Sequence, residues 1–373
     1  MRQTKQEEAS SGSAGRGKKR LLIAALLLGG LALLAGGFLA GRAFGGRKDP
    51  NKGTGRDTGR TAVDETAQNG ERPDGPQEGG IVSEELAFYA RFYELDRERT
   101  ETWLDAHPDV RAGGYASIEV DESAIGGEGT SILTKQGEKV LALDAKNGIL
   151  LLEVDADGSR GLLAIVKEPA ALHLFPAERI GTYGETVASI AERNGGILAV
   201  TASGIPADDL SGGEPLGHCI CGGKSYGVRG TNEYGWSRLE LLTDDTVRIV
   251  PAATNVGADV TDAMESGPAL IMDGKTTYES LLDSLNSRAC IGRTERGDVL
   301  LLVVEGRLPD SLGCSLDTCT ELLRGHGAVD AINCGGGSAP ILWYKGKTVT
   351  RFSNPGLPDG ISLPNAWVVL PAE

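Results

Sequence analysis

Three consecutive glycines, Gly335–Gly337, follow an asparagine and a cysteine at the end of the apolar run AVDAIN. Glycine has no Cβ, so a triplet after a strand lets the main chain turn sharply or lets backbone N–H groups approach a ligand, particularly an anion. An ordinary loop uses glycine in the same way. The segment therefore indicates either a turn or an anion-binding backbone, and the rest of the chain must decide between them.

Three other motif matches fail in their details. The segment Cys221–Ser225, CGGKS, resembles a phosphate-binding loop, but His218 stands where the first Gly is required and the segment lies between expected strands. The segment Gly336–Pro340 carries a proline in place of the last Gly of a nucleophile elbow. No histidine lies near Cys334 in sequence, which favours a buried or bridged cysteine over a nucleophile. Neither a nucleotide-binding loop nor a serine hydrolase is expected.

The six cysteines allow disulfides without requiring them in a chain of this length. Cys219 and Cys221 are alternate positions of one expected strand, which is a poor geometry for a mutual bridge. The four histidines are scattered, and none stands at metal-motif spacing from a cysteine. The sequence predicts no metal site and no cofactor.

Short apolar runs broken by Gly and Asp dominate the chain beyond Gly114 and are typical of β-strands. Helical patterns interrupt them only at Glu185–Arg193, Thr277–Leu285 and Ser315–Leu323. From VLLLVVEG to AVDAIN, the order of strand, Gly turn, helix and strand predicts one crossover unit inside a mixed sheet. The Gly triplet would then lie at the carboxyl end of a strand, where open α/β sheets bind ligands. The predicted fold class is α+β, a mixed β-sheet domain with few helices. The runs predicted as strands are KVLALD, GILLLEV, GLLAIVK, ILAVTAS, VRIVP, ALIMDG, VLLLVVEG, AVDAIN and AWVVLP.

An uncharged apolar run, Leu21–Gly41, lies close to the N-terminus. It is long enough to cross a hydrocarbon core of roughly 30 Å as a helix, and it is longer than the apolar core of a cleaved secretory signal. The basic segment Arg16–Arg20 favours a cytoplasmic tail over residues 1–20, although basic residues also follow the span. The sequence predicts a single-pass membrane protein whose C-terminal domain is extracellular.

Two regions of different composition follow the span, a linker and then a helical stalk. Residues 42–80 are rich in Gly, Asp, Arg, Thr and Pro, so they cannot bury enough apolar surface to offset their ordering entropy, and a flexible linker is expected. Residues 81–110 form a predicted helical stalk in which Phe88, Phe92 and Leu95 share one stripe. This stripe is expected to pack on the domain, with binding to a partner protein as the alternative.

Charge is unevenly distributed along the chain. Residues 1–60 contain 12 Lys and Arg against 4 Asp and Glu, a net charge of +8. Because the net charge of the whole chain is −15, residues 61–373 carry a net charge of −23. A surface this acidic repels nucleic acid and anionic lipid, which excludes both as partners of the main domain.

Five segments, taken in order, carry a family resemblance. Together they resemble the phosphodiester glycosidase domain, the family of the lysosomal "uncovering enzyme" and of many membrane-anchored bacterial exopolysaccharide-associated proteins. The resemblance covers residues 115–371, nearly the whole exported part. The five segments are EPLGHCICGGK (Glu214–Lys224), SGPALIMDGK (Ser266–Lys275), RACIG (Arg288–Gly292), VLLLVVEGR ending at Arg307, and AVDAINCGGGS ending at Ser338.

Several positions depart from the family pattern. Aligned on Asn333, the signature Asp of the family falls on Gly335 and its second Ser falls on Ala339. Thr201 stands in place of a family Asn, and Ala289 stands in place of the Thr that follows the site arginine. These changes remove polar side chains that would touch a sugar or a phosphate, so the resemblance implies the fold and leaves the activity open.

The resemblance also implies a binding site at the Gly triplet. Cleaving a sugar-1-phosphodiester at the anomeric carbon builds positive charge on the sugar while the departing phosphate gathers negative charge, so the site needs an anion clamp and a carboxylate. Arg288 suits the clamp, because its planar fork can pair two phosphate oxygens. The other residues expected to bind substrate are Ser266, Gly267, Asn333, Gly335, Gly336, Gly337 and Ser338.

Two carboxylates are candidates for the catalytic acid. Glu305, at the end of its strand, is the first, and Asp330, earlier in the AVDAIN strand, is the second. The alternative for each is a strand-end or turn carboxylate without a catalytic role. The resemblance further places Cys290 and Cys334 beside the same pocket, where we hypothesise that they are neighbours; Cys314 with Cys319 is the next pair.

Two functions follow from the resemblance. The first is a membrane-anchored extracellular hydrolase that acts on sugar-1-phosphodiesters of cell-envelope or exopolysaccharide glycans. The second is a catalytically degenerate member that binds a glycan, a sugar phosphate or a partner protein without turnover. The missing Asp favours the second function, whereas Arg288, Asn333 and the Gly triplet favour the first.

Overall fold

The computed structural model describes residues 79–121, 130–228, 236–278, 284–352 and 356–373. The predicted cytoplasmic tail, membrane span and almost all of the linker lie outside these residues. Within them, every helix falls short of the length and hydropathy that a bilayer crossing requires.

The described helices are α1 (Gly79–Arg91), α2 (Arg97–Ala106), α3 (Pro108–Arg111), α4 (Val187–Arg193) and α5 (Leu316–Gly325). The predicted stalk is thus divided, because Asp96 caps α2 by accepting a hydrogen bond from the backbone N–H of Arg99 at 3.1 Å. The predicted helices over 185–193 and 315–323 correspond to α4 and α5. The described ends of the predicted helix over 277–285 are not helical.

The described strands are β1 (Glu119–Asp121), β2 (Lys139–Asp144), β3 (Ile149–Ala156), β4 (Ser159–Val166), β5 (Leu172–Pro176), β6 (Leu198–Thr201), β7 (Cys219–Cys221), β8 (Lys224–Tyr226), β9 (Ser237–Leu242), β10 (Val247–Pro251), β11 (Val260–Ser266), β12 (Ala269–Met272), β13 (Lys275–Thr276), β14 (Arg288–Thr294), β15 (Val299–Val304), β16 (Ala328–Gly336), β17 (Leu342–Tyr344), β18 (Lys347–Thr348) and β19 (Asn365–Val369).

These strands form three sheets. The largest has the order β1-β2-β3-β4-β15-β14-β16-β12-β13, and the two smaller ones have the orders β10-β9-β11-β7-β8 and β18-β17-β6-β19-β5. In the described residues, neighbouring strands pair antiparallel in all three sheets. The prediction of a mixed sheet, with parallel as well as antiparallel neighbours, is therefore wrong. The crossover itself is present, because β15 and β16 both pair with β14 and are joined through α5.

The large sheet separates two hydrophobic cores. Side chains of all three sheets fill the first core, and α1, α2 and α5 cover the opposite face to form the second. The burial of both faces of β15 explains why its sequence is apolar throughout. Val299, Leu301 and Val303 enter the first core, and the alternate residues enter the second. Each of these side chains stabilises the fold by about 1.5–3 kcal/mol through its burial. The aromatic stripe predicted to pack on the domain is buried in the second core, at Phe88, Phe92 and Leu95.

The β7–β8 connection is a hairpin. Gly222 and Gly223 both have positive φ, at 54° and 79°, and Cys221 pairs with Lys224 across the turn. The CGGKS segment is therefore a turn between strands and does not open a helix.

Candidate functional site

The Gly triplet lies at one edge of the large sheet, where β15 and β16 end and β14 begins. Arg288, the first residue of β14, pairs with Gly336 on one side and with Val304, the last residue of β15, on the other. We call the group formed by residues 286–288, Arg307 and residues 335–337 the Gly-triplet edge. Its glycines are half-buried, so their backbone can be reached from solvent.

An irregularity in strand pairing shapes this edge. Ala289 pairs with Gly335 but Cys290 pairs with Asn333, so Cys334 is an extra residue in β16. Such a bulge redirects the side chains that follow it. Cys334 enters the first core, whereas Cys290 enters the second core on the opposite face of the sheet.

Cys290 and Cys334 therefore lie on neighbouring strands with their side chains on opposite faces of the sheet, and all six cysteines are unbridged in the structure. Burial raises the pKa of the Cys334 thiol above its ordinary value. A thiol that resists ionisation is a poor nucleophile, which agrees with the interpretation of Cys334 as a buried structural residue.

Arg288 lies against the Gly triplet, and backbone carbonyl groups hold it in place. Its Nε donates to the Cys314 carbonyl oxygen at 3.1 Å, and its Nη2 donates to the Ser284 carbonyl oxygen at 2.7 Å. A Cβ placed on Gly336 would lie 3.7 Å from Arg288 Nη1, so this nitrogen faces the bare α-carbon. The same Cβ would lie only 2.9 Å from the Ser287 carbonyl oxygen, so a residue larger than glycine at position 336 would have to displace the backbone that leads into Arg288.

Arg307 is a second guanidinium at this edge, which the sequence analysis did not select. It follows β15 with a positive φ of 60°, and a Cβ on Gly337 would lie 3.4 Å from its Nη2. The side chain is exposed and makes no ion pair within the part of the chain that the structure describes. The Gly-triplet backbone therefore has a guanidinium on either side.

Asn286 adds an amide that the sequence analysis also missed. Its buried Oδ1 atom accepts no hydrogen bond from the described residues, and its Nδ2 would lie 3.7 Å from a Cβ on Gly336. Beside it, Ser287 Oγ donates to the Gly337 carbonyl oxygen at 2.5 Å. Because a buried amide oxygen without a partner is costly, the vacant acceptor suits a donor such as a sugar hydroxyl.

Asn333 and Ser266 are placed behind the Gly triplet, where they bind backbone groups. Asn333 Nδ2 donates to the Gly267 carbonyl oxygen at 2.8 Å, and Ser266 Oγ donates to the Asn333 carbonyl oxygen at 2.8 Å. Gly267 lies against an indole, since a Cβ there would be 2.6 Å from Cδ1 of Trp236. These predicted binding residues therefore join β16 to the β11–β12 connection and support the edge.

Position 335, where the family has its Asp, has room for a side chain. Gly335 does not have a positive φ, and a Cβ built on it would meet only the Ala339 Cβ, at 4.0 Å. Gly337 differs, because its φ is +75°. Thr201, which stands for the family Asn, donates through Oγ1 to the Ala339 carbonyl oxygen at 2.5 Å and so fixes the segment after half-buried Ser338.

Glu305 lies at the same edge, but its carboxylate is fully engaged. Oε1 accepts from Arg160 Nη1 and from the Arg351 backbone N–H, both at 2.7 Å. Oε2 accepts from Arg351 Nε at 2.8 Å and from Nη2 at 2.7 Å. A carboxylate has about four acceptor positions, so none is left for a substrate proton. The hydrogen bond with Glu305 raises the pKa of the Arg351 guanidinium above its usual range.

A cavity of about 520 Å³ opens beside this ion-pair network. Arg160, Arg351, Glu153, Asp310 and Lys139 are among its lining residues. Charges of both signs line it, so it does not form an anion clamp of its own.

Asp330 lies away from the Gly-triplet edge. It precedes Gly336 by six residues of extended strand, roughly 20 Å. Its Oδ2 lies 2.6 Å from Arg293 Nη2, and its Oδ1 accepts from the Asp273 backbone N–H at 3.0 Å. The structure does not bring this second catalytic candidate to the site.

Among the described residues, no group of three or more His, Cys, Asp or Glu side chains is arranged to hold a metal ion. What the edge offers is two guanidinium groups, one amide with a vacant acceptor and bare backbone. Planar guanidinium groups beside exposed backbone are suited to oxyanions such as phosphate.

Comparison with known proteins supports the family resemblance. Residues 188–370 match the family model described as phosphodiester glycosidase, and this range contains the whole Gly-triplet edge. The predicted domain, 115–371, extends further toward the N-terminus.

The SPbeta prophage-derived uncharacterized protein YomE of Bacillus subtilis (strain 168) is 26% identical over 185 residues, which cover 46% of this chain and 28% of that protein. The chain thus spans little more than a quarter of the length of this relative. A solved structure, the catalytic domain of zebrafish N-acetylglucosamine-1-phosphodiester alpha-N-acetylglucosaminidase auto-inhibited by its pro-peptide, aligns with a TM-score of 0.50 at 16% identity. The alignment covers 60% of this chain and 82% of that chain, and it shows a shared fold.

Proposed function

Because residues 188–370 form a domain of the phosphodiester glycosidase family, we propose that this protein recognises sugar-1-phosphodiesters at the Gly-triplet edge and hydrolyses them. The observation that carries the proposal is the pair of guanidinium groups, Arg288 and Arg307, on either side of the bare backbone at Gly336 and Gly337. The name of the zebrafish relative refers to an N-acetylglucosamine-1-phosphodiester, which supports the choice of substrate class.

The chemistry required of this site is charge stabilisation. Breaking the bond at the anomeric carbon moves negative charge onto the departing phosphate. Donors that are already oriented stabilise that charge without reorganising during the reaction. Arg288 is held by two carbonyl oxygens before any ligand arrives, so its position costs no further ordering. The exposed guanidinium of Arg307 would bind the phosphate from the other side.

Binding without turnover is the second candidate function. Two observations favour it: Gly335 occupies the position of the family Asp, and all acceptor positions of Glu305 are already filled. In this case the protein would bind a sugar phosphate or a glycan through the same two arginines. The ligand class is the same in both candidates, and only the fate of the ligand differs.

We also propose that the domain lies outside the cell. The uncharged run Leu21–Gly41 and the basic segment before it support a single-pass protein whose C-terminal domain lies outside the cell. Cell-envelope or exopolysaccharide glycans would then be the accessible substrates.

Release of free sugar from a panel of sugar-1-phosphodiesters tests the choice between the two functions. The full chain, a Gly335→Asp variant and a Gly335→Asn variant are compared, because the Asn side chain matches Asp in shape without its charge. Release by the parent supports hydrolysis. Release by Gly335→Asp alone supports a binding protein that has lost its acid, and release by none of the three contradicts the hydrolase.

A further inference from the structure

Three of the six cysteines form one buried cluster behind the Gly-triplet edge. Cys314 Sγ lies 3.4 Å from Cys319 Sγ, and both side chains are fully buried. Cys290 is buried in the same core, on the same side of the sheet. The remaining cysteines are all in the first core, across the sheet from this cluster.

Cys314 and Cys319 lie at the start of α5, in an arrangement that favours a bridge. Ser315 is the N-cap, and its Oγ accepts from the Thr318 backbone N–H at 3.0 Å. Cys314 therefore immediately precedes the cap and Cys319 is the fourth helical residue. Side chains at these two positions commonly pack together and fix the angle at which the chain enters the helix.

The backbone of Cys314 also supports the candidate site. Its carbonyl oxygen accepts from Arg288 Nε at 3.1 Å and from the Asn286 backbone N–H at 3.2 Å. Its N–H donates to the Asn286 carbonyl oxygen at 2.9 Å. Any constraint on Cys314 is therefore transmitted directly to two residues of the Gly-triplet edge.

We propose that Cys314 and Cys319 form a disulfide when the chain folds in the presence of a disulfide oxidant, and that this bridge fixes the segment that orients Arg288. The two thiols lose two protons and two electrons, and the oxidant's own disulfide is reduced to two thiols. The sulfur atoms need to approach by little more than about 1 Å to reach bonding distance. Cys290 remains a free thiol.

The timing of this reaction follows from burial. The hydrogen bond with Cys319, together with desolvation, raises the pKa of the Cys314 thiol above its ordinary value. The thiolate, which is the reacting form, is therefore scarce in the folded domain. The bridge should form during folding and then resist reductants until the domain unfolds.

Peptide mapping tests the pairing directly. The full chain is folded in a mixture of reduced and oxidised glutathione, denatured without reductant, alkylated, and cut with a protease that cleaves before aspartate. Asp317 lies between the two cysteines, so a bridge keeps the two peptides joined until reductant is added. We expect that joined pair, with the other four of the six cysteines alkylated. Six alkylated cysteines, or a joined pair that contains Cys290, would overturn the assignment.

Stability gives a second readout. Closing so short a loop should lower the unfolding equilibrium constant on the order of 30-fold relative to the reduced chain. The Cys314→Ser, Cys319→Ser double variant is the control, and its stability should not depend on whether it was folded with oxidant. An equal dependence in parent and double variant would show that the stabilising bridge lies elsewhere and would contradict the proposal.

Discussion

At the scale of single residues, the partners of a carboxylate decide what it can do. Glu305 carries the charge that a glycosidase acid would need, yet Arg160 and Arg351 occupy both of its oxygens. Arg160 lies on β4 and Arg351 follows β18, so the carboxylate joins two distant parts of the chain at the edge of the site. We infer that Glu305 positions this edge and does not transfer a proton.

Glu305→Gln should therefore act mainly on stability. The amide would place an NH2 donor where one carboxylate oxygen now accepts, and Arg160 and Arg351 would keep only their more exposed carboxylate partners, Glu153 and Asp310. We expect a loss of about 2–4 kcal/mol in the free energy of unfolding, moderated because Arg351 is 46% exposed. Urea unfolding measures it, and the control Glu153→Gln, whose carboxylate is more exposed on the same Arg160, should cost under about 1 kcal/mol. An unchanged urea midpoint together with loss of sugar release would instead indicate catalysis.

Sequence patterns predicted part of this site. Arg288 and the Gly triplet were found because an arginine fork and bare backbone have recognisable chemistry. Arg307 ends one of the five family segments, but nothing in the sequence reveals that its φ is positive or that its guanidinium lies beside Gly337. The partners of Glu305 are 145 and 46 residues away along the chain, which no local pattern could indicate.

At the scale of elements, an ion pair joins the largest sheet to the sheet that contains β17 and β18. Lys345, in the β17–β18 turn, places Nζ 2.6 Å from Asp144 Oδ2 at the end of β2. Asn147 Nδ2 donates to the same Oδ2 at 2.8 Å. Burial alone would raise the pKa of Asp144, but the hydrogen bonds from Lys345 and Asn147 outweigh it and hold the pKa below its usual value.

This shift predicts a pH dependence of stability. A carboxyl whose pKa is lowered by folding stabilises the protein above the unfolded pKa, about 3.9, and this contribution is lost as the pH falls through the folded value. Asp144→Asn should therefore be less stable than the parent at pH 7, and the difference should shrink below about pH 4. Urea midpoints between pH 7 and pH 2.5 measure it. A difference that stays constant or widens in acid would contradict the assignment.

The sequence predicted strands well where both faces of the sheet are apolar, as in β15. It missed β11, VTDAMES, because charged residues interrupt the pattern. Asp262 and Glu265 are nevertheless buried, and each accepts a backbone N–H, from Gly222 at 2.8 Å and from His218 at 3.1 Å. Such tertiary partners make a charged residue acceptable inside a sheet, and the sequence does not show them.

At the scale of the whole molecule, the N-terminal helices belong to the domain. The side chains of Phe92, Leu95 and Leu104 are almost fully buried in the second core. The apolar stripe in the sequence predicted this face correctly, but it did not reveal the break at Asp96.

The proposed anchor places the whole described domain on the outer side of the membrane. Protease added to intact cells should therefore remove it, and lysis should not be required. A cytoplasmic reporter protein serves as the control for intact membranes. Survival of the domain until the cells are lysed would contradict the proposed topology.

The most direct test of the candidate site is calorimetric titration of the full chain with a sugar-1-phosphate methyl diester, using the uncharged methyl glycoside as the reference ligand. We predict that the diester binds preferentially and that Arg307→Ala weakens its binding by about 1.5–3 kcal/mol, the scale of a charge-assisted hydrogen bond, without lowering the Tm. Arg99→Ala, an exposed arginine on α2, should bind like the parent. A parent that does not prefer the diester, or an Arg307→Ala variant that binds it equally well, would contradict a phosphate site at the Gly-triplet edge.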